Sequence, residues 1–142
     1  MPLISFGSIL SFAEELEKKD EAFYAAAAAN PAFAEHRDLF DHFLKDTRNN
    51  IKNVQRARRE NVTEMILEPI KDFTRTPFCE EFDPAKAKTI TEILDTARCL
   101  EKRTERYYTE ASVKIKALSE VSRALKMIGK KHTAHLKKLD TL

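Results

Sequence analysis

The sequence predicts an all-α protein, and three observations support this class. Only two of the 142 residues are glycine and none is tryptophan, while Ala, Leu, Lys, Glu and Arg are abundant, which suits long helices better than a turn-rich β protein. Apolar side chains recur at intervals of three and four residues over four long segments. Proline and polar residues fall between those segments. With 42% hydrophobic and 34% charged residues, we expect one globular domain spanning residues 1–142.

A very short connection joins the first two predicted helices. The first helix runs from about Ser8 to Ala29. Asn30 followed by Pro31 is typical of a helix break, with an N-cap and then a proline in the first turn. The second helix is therefore expected to begin there and to continue to about Asn61. So short a connection predicts that the two helices form an antiparallel hairpin.

A long crossover is predicted from residue 62 to residue 85. The helical periodicity is lost there, and Pro69, Pro77 and Pro84 exclude one continuous helix. Apolar side chains along the segment predict that it packs on the helices and does not extend as a free linker. These side chains are Ile66, Leu67, Ile70, Phe73, Phe78 and Phe82.

A second pair of helices completes the predicted architecture. The third helix is expected from about Lys86 to Lys116, and Ser119 is the expected N-cap of a fourth helix that ends near Asp140. The sequence therefore predicts an antiparallel four-helix bundle made of two helical hairpins joined by a long crossover.

The two predicted hairpins resemble each other in sequence. A shift of about 84 positions lays the segment LEKKDEAFY of the first helix onto LEKRTERYY of the third, and a shift of about 85 relates the second helix to the fourth. Among the pairs of residues that this repeat aligns are Glu17 with Glu101, Asp20 with Thr104, Tyr24 with Tyr108, Thr47 with His132, and Asn50 with His135.

Polar side chains interrupt the apolar seam of each predicted helix at about the same depth. They are Glu17, Thr47, Asn50, Glu101, His132 and His135. A buried carboxylate without a partner costs several kcal/mol or is forced neutral, so the two glutamates require cations or hydrogen-bond donors facing them. Metal ions, histidines and tyrosine hydroxyls all qualify. Asp20, Glu21 and Glu105 on the same helices have two alternatives, a position next to the ligands or an exposed position, and the exposed position is expected.

A seam glutamate followed seven residues later by tyrosine, on both the first and the third helix, resembles the rubrerythrin branch of the ferritin-like superfamily. The resemblance implies a ferritin-like fold, a di-iron or di-manganese centre, and chemistry with peroxide or oxygen. In that family the second and fourth helices each carry Glu-x-x-His, whereas the matching positions here are Thr47-x-x-Asn50 and His132-x-x-His135. The family's residue is kept at three of the six ligand positions, namely Glu17, Glu101 and His135.

These departures reduce the predicted centre to one ion. A pair of divalent metals carries four positive charges, which four carboxylates normally neutralise, and this seam supplies two. Thr47 and Asn50 offer neither charge nor bridging geometry, and Asp46 is turned about 100° around the helix from Thr47. Two imidazoles and two carboxylates suit one Fe, Mn or Zn ion. The predicted metal ligands are Glu17, Glu101, His132 and His135. The predicted surrounding residues are Tyr24, Tyr108, Thr47 and Asn50.

Two interpretations of this seam are open. In the first, the chain binds one divalent metal in oxidative-stress or metal handling and, if active, is a metal-dependent oxidoreductase acting on peroxide or oxygen. In the second, no metal is bound, the histidines hydrogen-bond to the glutamates, and the bundle is a non-catalytic interaction or self-associating protein. The sequence identifies no catalytic residue, substrate or redox partner.

The charge balance and the cysteines restrict the expected partners. Lys and Arg number 25 and Asp and Glu 23, so a net charge of +2 creates no global field for nucleic acid or an anionic membrane. Cys79 and Cys99 form no CxxC pair, which excludes a rubredoxin module within this sequence. No stretch approaches the length of a membrane span, and the N-terminus lacks a secretory signal pattern. We expect a cytoplasmic protein that binds neither nucleic acid nor membrane and, by resemblance, a homodimer.

Overall fold

The predicted all-α class is confirmed. The computed structural model describes residues 6–60, 72–116 and 118–142, and within these ranges the chain is helical, with no β-strand. Four long helices occur there, which are α1 (Phe6–Ala29), α2 (Arg37–Glu60), α3 (Ile90–Lys114) and α4 (Ser119–Asp140). None of these described helices combines the length and the apolar character that crossing a membrane requires.

The connection between α1 and α2 differs from the prediction in one respect. Asn30 caps the turn as expected, because its side chain accepts a hydrogen bond from the Ala32 backbone N–H at 3.0 Å. The next residues form a short 3₁₀ helix, Pro31–His36, and α2 begins only at Arg37. The reason is packing: Phe33 leaves the helical conformation and buries its ring beside Phe40.

The described part of the crossover packs on the bundle, as predicted. Residues 62–71 of the predicted crossover lie outside the described residues. Phe73 and Phe78 are buried, and both rings contact that of Tyr107 on α3. Only short 3₁₀ turns occur here, Thr76–Phe78 and Pro84–Lys86.

The starts of α3 and α4 are set by local capping. α3 begins at Ile90 and not near Lys86, because Thr89 is the N-cap and its hydroxyl accepts a hydrogen bond from the Glu92 backbone N–H at 3.2 Å. α4 begins at Ser119, but the predicted cap is wrong. Ser119 is the first helical residue, and Leu118 occupies the N-cap position without a side-chain hydrogen bond.

The core consists of two apolar clusters with a buried polar layer between them. On α1 the first cluster ends at Leu16 and the second begins at Phe23, and Glu17 and Asp20 lie between them. On the other three helices, buried polar residues likewise lie between residues of the two clusters. Their buried polar residues at this level are Thr47, Asn50, Glu101, Thr104, His132 and His135. The helix faces predicted from periodicity therefore place all the polar seam residues in one layer.

α3 and α4 approach each other closely beside this layer. A Cβ atom added at Gly129 of α4 would lie 3.1 Å from the Cβ of Tyr108 on α3, which is tighter than ordinary van der Waals contact. Glycine at this position thus lets α4 bring its histidines close to α3.

Candidate metal centre

Glu101 is the centre of the buried polar layer. Its Oε2 lies 2.7 Å from His132 Nδ1, and its Oε1 lies 2.9 Å from His135 Nδ1. The two histidines are three residues apart on α4 and therefore project from the same side of the helix. Glu101 and His132 are fully buried and His135 is 2% exposed. Each of the three side chains offers one ligand atom, and these atoms lie within 4.8 Å of one another.

The second ring nitrogen of each histidine faces another carboxylate. His132 Nε2 lies 2.7 Å from Glu17 Oε2 on α1, and His135 Nε2 lies 2.9 Å from Asp46 Oδ2 on α2. The five side chains form one continuous chain in the order Glu17, His132, Glu101, His135, Asp46. A carboxylate on the far nitrogen of an imidazole fixes the orientation of the ring. Both histidines are thus held with Nδ1 directed at Glu101.

The two tyrosines that the repeat aligns bind the two glutamates that it aligns. The Tyr24 hydroxyl on α1 donates to Glu101 Oε1 on α3 at 2.8 Å. The Tyr108 hydroxyl on α3 donates to Glu17 Oε2 on α1 at 2.7 Å. The Tyr108 ring also stacks on His132, with 5.6 Å between ring centroids. α1 and α3 therefore contribute matched pairs of residues to the centre.

α2 contributes an amide and an aromatic ring. Asn50 Nδ2 donates to Glu17 Oε1 at 3.2 Å and lies 3.5 Å from His132 Nε2. Thr47 is buried beside the centre, but its hydroxyl donates to the Phe43 carbonyl of its own helix at 2.7 Å. The Phe43 ring stacks on His135, with 3.9 Å between ring centroids. Of the two polar α2 residues predicted to surround the ligands, only Asn50 is hydrogen-bonded to one of them.

The predicted exposure of Asp20 is wrong. Asp20 is fully buried and accepts hydrogen bonds from Arg103 Nη2 and the Thr104 hydroxyl, both at 2.8 Å. Arg103 also donates to the backbone carbonyls of Phe78 and Glu80, so it ties the crossover segment to the polar layer. The alignment of Asp20 with Thr104 in the repeat was the available signal for this position. Glu21 and Glu105, also expected to be exposed, are half-buried.

Asp46 is the residue of this centre that sequence reasoning missed. The helical rotation of about 100° from Thr47 places Asp46 at the edge of the seam. Its side chain is 19% exposed and reaches the outer nitrogen of His135 from that edge. The rotation excludes Asp46 from the position of Thr47, but it does not exclude contact with an imidazole that extends outward. No pattern within α2 alone signals such a contact.

The electrostatics of the centre favour protonated histidines in the metal-free protein. Burial by itself would lower the pKa of His132, but the charges of Glu17 and Glu101 and its hydrogen bonds to both outweigh burial and raise that pKa well above its usual range. Burial would also lower the pKa of His135. The hydrogen bonds to Glu101 and Asp46 and the charge of Glu101 outweigh burial, so the pKa of His135 is raised. Each ring nitrogen then donates a proton to a carboxylate.

The pKa of Glu101 changes in the complementary direction. Burial would raise it, but the charge of His132 and the hydrogen bonds from His132 and His135 prevail and lower the pKa of Glu101 to about 2. Burial and the neighbouring carboxylates raise the pKa values of Tyr24 and Tyr108 well above their usual range. The two tyrosines therefore remain neutral and donate hydrogen bonds to the glutamates.

The charge of the centre is the same with two protons or with one divalent ion. Two imidazolium groups carry two positive charges, and a divalent ion with two neutral imidazoles carries the same total. The residues therefore fit a single ion at Glu101, His132 and His135. A second group of potential ligands exists in Glu17, Asp20 and His132. Asp20 is already bound to Arg103 and Thr104, so this second group does not fit a further ion without losing that ion pair.

No family model, curated protein or solved structure matches this chain. The chemistry of the buried centre is therefore the basis on which a function is proposed.

Proposed function

We propose that this chain is a rubrerythrin-like member of the ferritin-like superfamily that binds one divalent metal ion, Fe, Mn or Zn, at Glu101, His132 and His135. The observation that carries the proposal is the fully enclosed set of one carboxylate and two imidazole nitrogens within 4.8 Å of one another. The ion would replace the protons between Glu101 and the two Nδ1 atoms. Glu17 and Asp46 would continue to accept the Nε2 protons and orient both rings.

The contacts between α1 and α2 support the first half of a ferritin-like arrangement. Gln55 reaches Glu14, and Arg48 reaches Glu21. Residue numbers thus rise along α1 while they fall along α2, as in an antiparallel hairpin.

The contacts of α3 support the second half. Arg98 donates to the Leu139 carbonyl and Ser122 donates to the Ser112 carbonyl, so α3 and α4 run in opposite directions. Tyr24 of α1 bonds Glu101 of α3, and Glu17 of α1 bonds Tyr108 of α3, so α1 and α3 run in opposite directions as well. α2 and α3 are therefore parallel, which is the relation that two hairpins joined by a long crossover produce.

A bound Fe or Mn ion would supply one-electron chemistry with peroxide or oxygen, whereas Zn would not. The chain's own residues would keep water out and hold the ring protons. Thr47 and Asn50 cannot provide the carboxylate and imidazole of a second half-site, so we propose metal handling or peroxide chemistry at a single ion. We also propose that two chains associate, which light scattering at several protein concentrations tests.

Metal stoichiometry is the direct test of this function. The anaerobically prepared protein is dialysed against Fe(II), Mn(II) or Zn(II), and bound metal is measured by elemental analysis. We expect one ion per chain, accompanied at pH 6 by the release of about two protons because both Nδ1 positions must deprotonate. Two ions per chain would contradict the charge argument. Binding without proton release would locate the ion elsewhere.

A second function is favoured by one observation. All four ring nitrogens of His132 and His135 already face carboxylates at 2.7 to 2.9 Å, so the polar layer is satisfied without metal. In that case the chain is a non-catalytic bundle that acts through interaction or self-association. An absence of bound metal from all three dialyses, with intact far-UV circular dichroism, would favour this alternative.

A further inference from the structure

A cavity of about 410 Å³ lies between the C-terminal half of α2 and the N-terminal half of α4. Its buried lining residues are Asn50, Ala57 and Ile128, and Ala124 is half-buried. Met127 lines it as well and is 62% exposed, one of the few large apolar side chains in the described residues to be so. The volume is in the range of small-molecule sites, and the buried surface is mainly apolar.

The exposed lining of this cavity carries three positive and two negative groups. The cations are Arg56, Arg123 and Lys131, and the anions are Glu60 and Glu120. Within the described ranges, none of the three cations takes part in an ion pair. The ionisable lining therefore has a net charge of +1 and cationic groups that are available to a ligand.

We propose that this cavity binds a small monocarboxylate with an apolar chain, of the size of a medium-chain fatty acid. The carboxylate would pair with Arg56 and Arg123, whose guanidinium groups match its geometry. The chain would lie on Ala57 and Ile128, with the flexible Met127 side chain adapting to it. A single net positive charge complements a monoanion, and the two glutamates repel polyanions such as nucleic acid.

This site is separate from the proposed metal function. Asn50 lines the cavity and also hydrogen-bonds Glu17 of the buried centre described above. Ligand binding requires no metal, so it is measured in the metal-free protein. A failure here leaves the metal proposal untouched, and the reverse is equally true.

Decanoate, below its micelle concentration, is the probe for the first test. It is titrated into the full chain by calorimetry, and the ¹³C-methyl signal of Met127 is followed by NMR. We expect saturable binding of one decanoate per chain and a shift of the Met127 methyl signal. An absence of saturable binding would overturn the proposal. An unchanged Met127 signal would overturn it as well, because the ligand would then not occupy this cavity.

Two matched variants on α4 test the charge argument. Arg123 lines the cavity and Lys126, one turn away and also exposed, does not. We expect Arg123→Gln to weaken decanoate binding about tenfold or more and Lys126→Gln to change it less than about twofold. Equal effects of the two variants would overturn the site. Binding of neutral decanol as tight as that of decanoate would overturn the assignment of a carboxylate ligand.

Discussion

The odd-numbered and even-numbered helices contribute differently to the polar layer. α1 and α3 supply the same residues at aligned positions, and the tyrosine of each helix bonds the glutamate of the other. α2 and α4 do not match, because the positions of Thr47 and Asn50 on α2 correspond to His132 and His135 on α4. The matched pair thus supplies buried negative charge, and one helix of the unmatched pair supplies the cationic groups that neutralise it.

The largest difference in unfolding free energy is expected between variants at His132 and at the aligned Thr47. In the metal-free protein we expect His132→Ala to lose about 3–5 kcal/mol of unfolding free energy, because the buried carboxyl groups of Glu17 and Glu101 lose their shared partner. Its counterpart Thr47→Ala should lose only about 1 kcal/mol, since the Thr47 hydroxyl bonds its own helix. Urea denaturation at pH 6 with a chelator measures both. Similar losses for the two variants would mean that His132 is not the neutralising group.

Stabilisation by bound metal should depend on the α4 residue His135 and not on the α2 residue Thr47. This free energy is expected to be somewhat smaller than the loss in His132→Ala. We expect a divalent ion to stabilise the wild type by about 2.7 kcal/mol at a free concentration of roughly 100 Kd. His135→Ala should abolish both the bound metal and the rise in melting temperature. Thr47→Ala, the matched control on α2, should retain them. A metal-dependent rise that persists in His135→Ala would exclude His135 as a ligand.

The pH dependence of stability should carry the signature of the α4 histidines. Their folded pKa values are raised, so their contribution is complete below an unfolded pKa of about 6.5 and is lost as pH rises towards the folded values. The pKa of Glu101 in the folded protein is lowered to about 2. Its contribution to stability is therefore complete above an unfolded pKa of about 4.5 and is lost as pH falls towards 2. Both contributions are complete between about pH 4.5 and 6.5.

Above pH 6.5 the unfolding free energy of the metal-free wild type should fall by up to about 1.4 kcal/mol per pH unit for each histidine. The double variant His132→Gln/His135→Gln should lose most of this slope. Urea denaturation from pH 5 to pH 9 measures both profiles. A wild-type profile that rises with pH over this range would show that the histidines are neutral in the folded protein.

The smallest difference is expected between the two matched tyrosines. Tyr24→Phe and Tyr108→Phe each remove one hydrogen bond to a buried glutamate and should each destabilise the protein by about 1.5–3 kcal/mol. The two losses should agree within about 0.5 kcal/mol if α1 and α3 are equivalent in this layer. Denaturation of the two variants in parallel tests this. A clearly larger loss for one of them would break the symmetry of the odd-numbered helices.

The sequence alone determined the helical class and the level of the polar layer. A repeat of three and four residues fixes which side of each helix is buried, so the positions of Glu17, Glu101, His132 and His135 in the core followed from their spacing. The seven-residue interval from glutamate to tyrosine, present twice, also indicated the matched pairs on α1 and α3.

Only the tertiary structure decided which atoms meet. Whether Glu101 faces Nδ1 or Nε2, how Asp46 reaches His135, and how Arg103 turns back to Asp20 depend on the rotation and axial offset of one helix relative to another. The periodicity of a single helix contains no information about these offsets. Side chains such as arginine and histidine also extend several ångströms beyond the face that their backbone position assigns to them, so helical position predicted burial better than it predicted bonding partners.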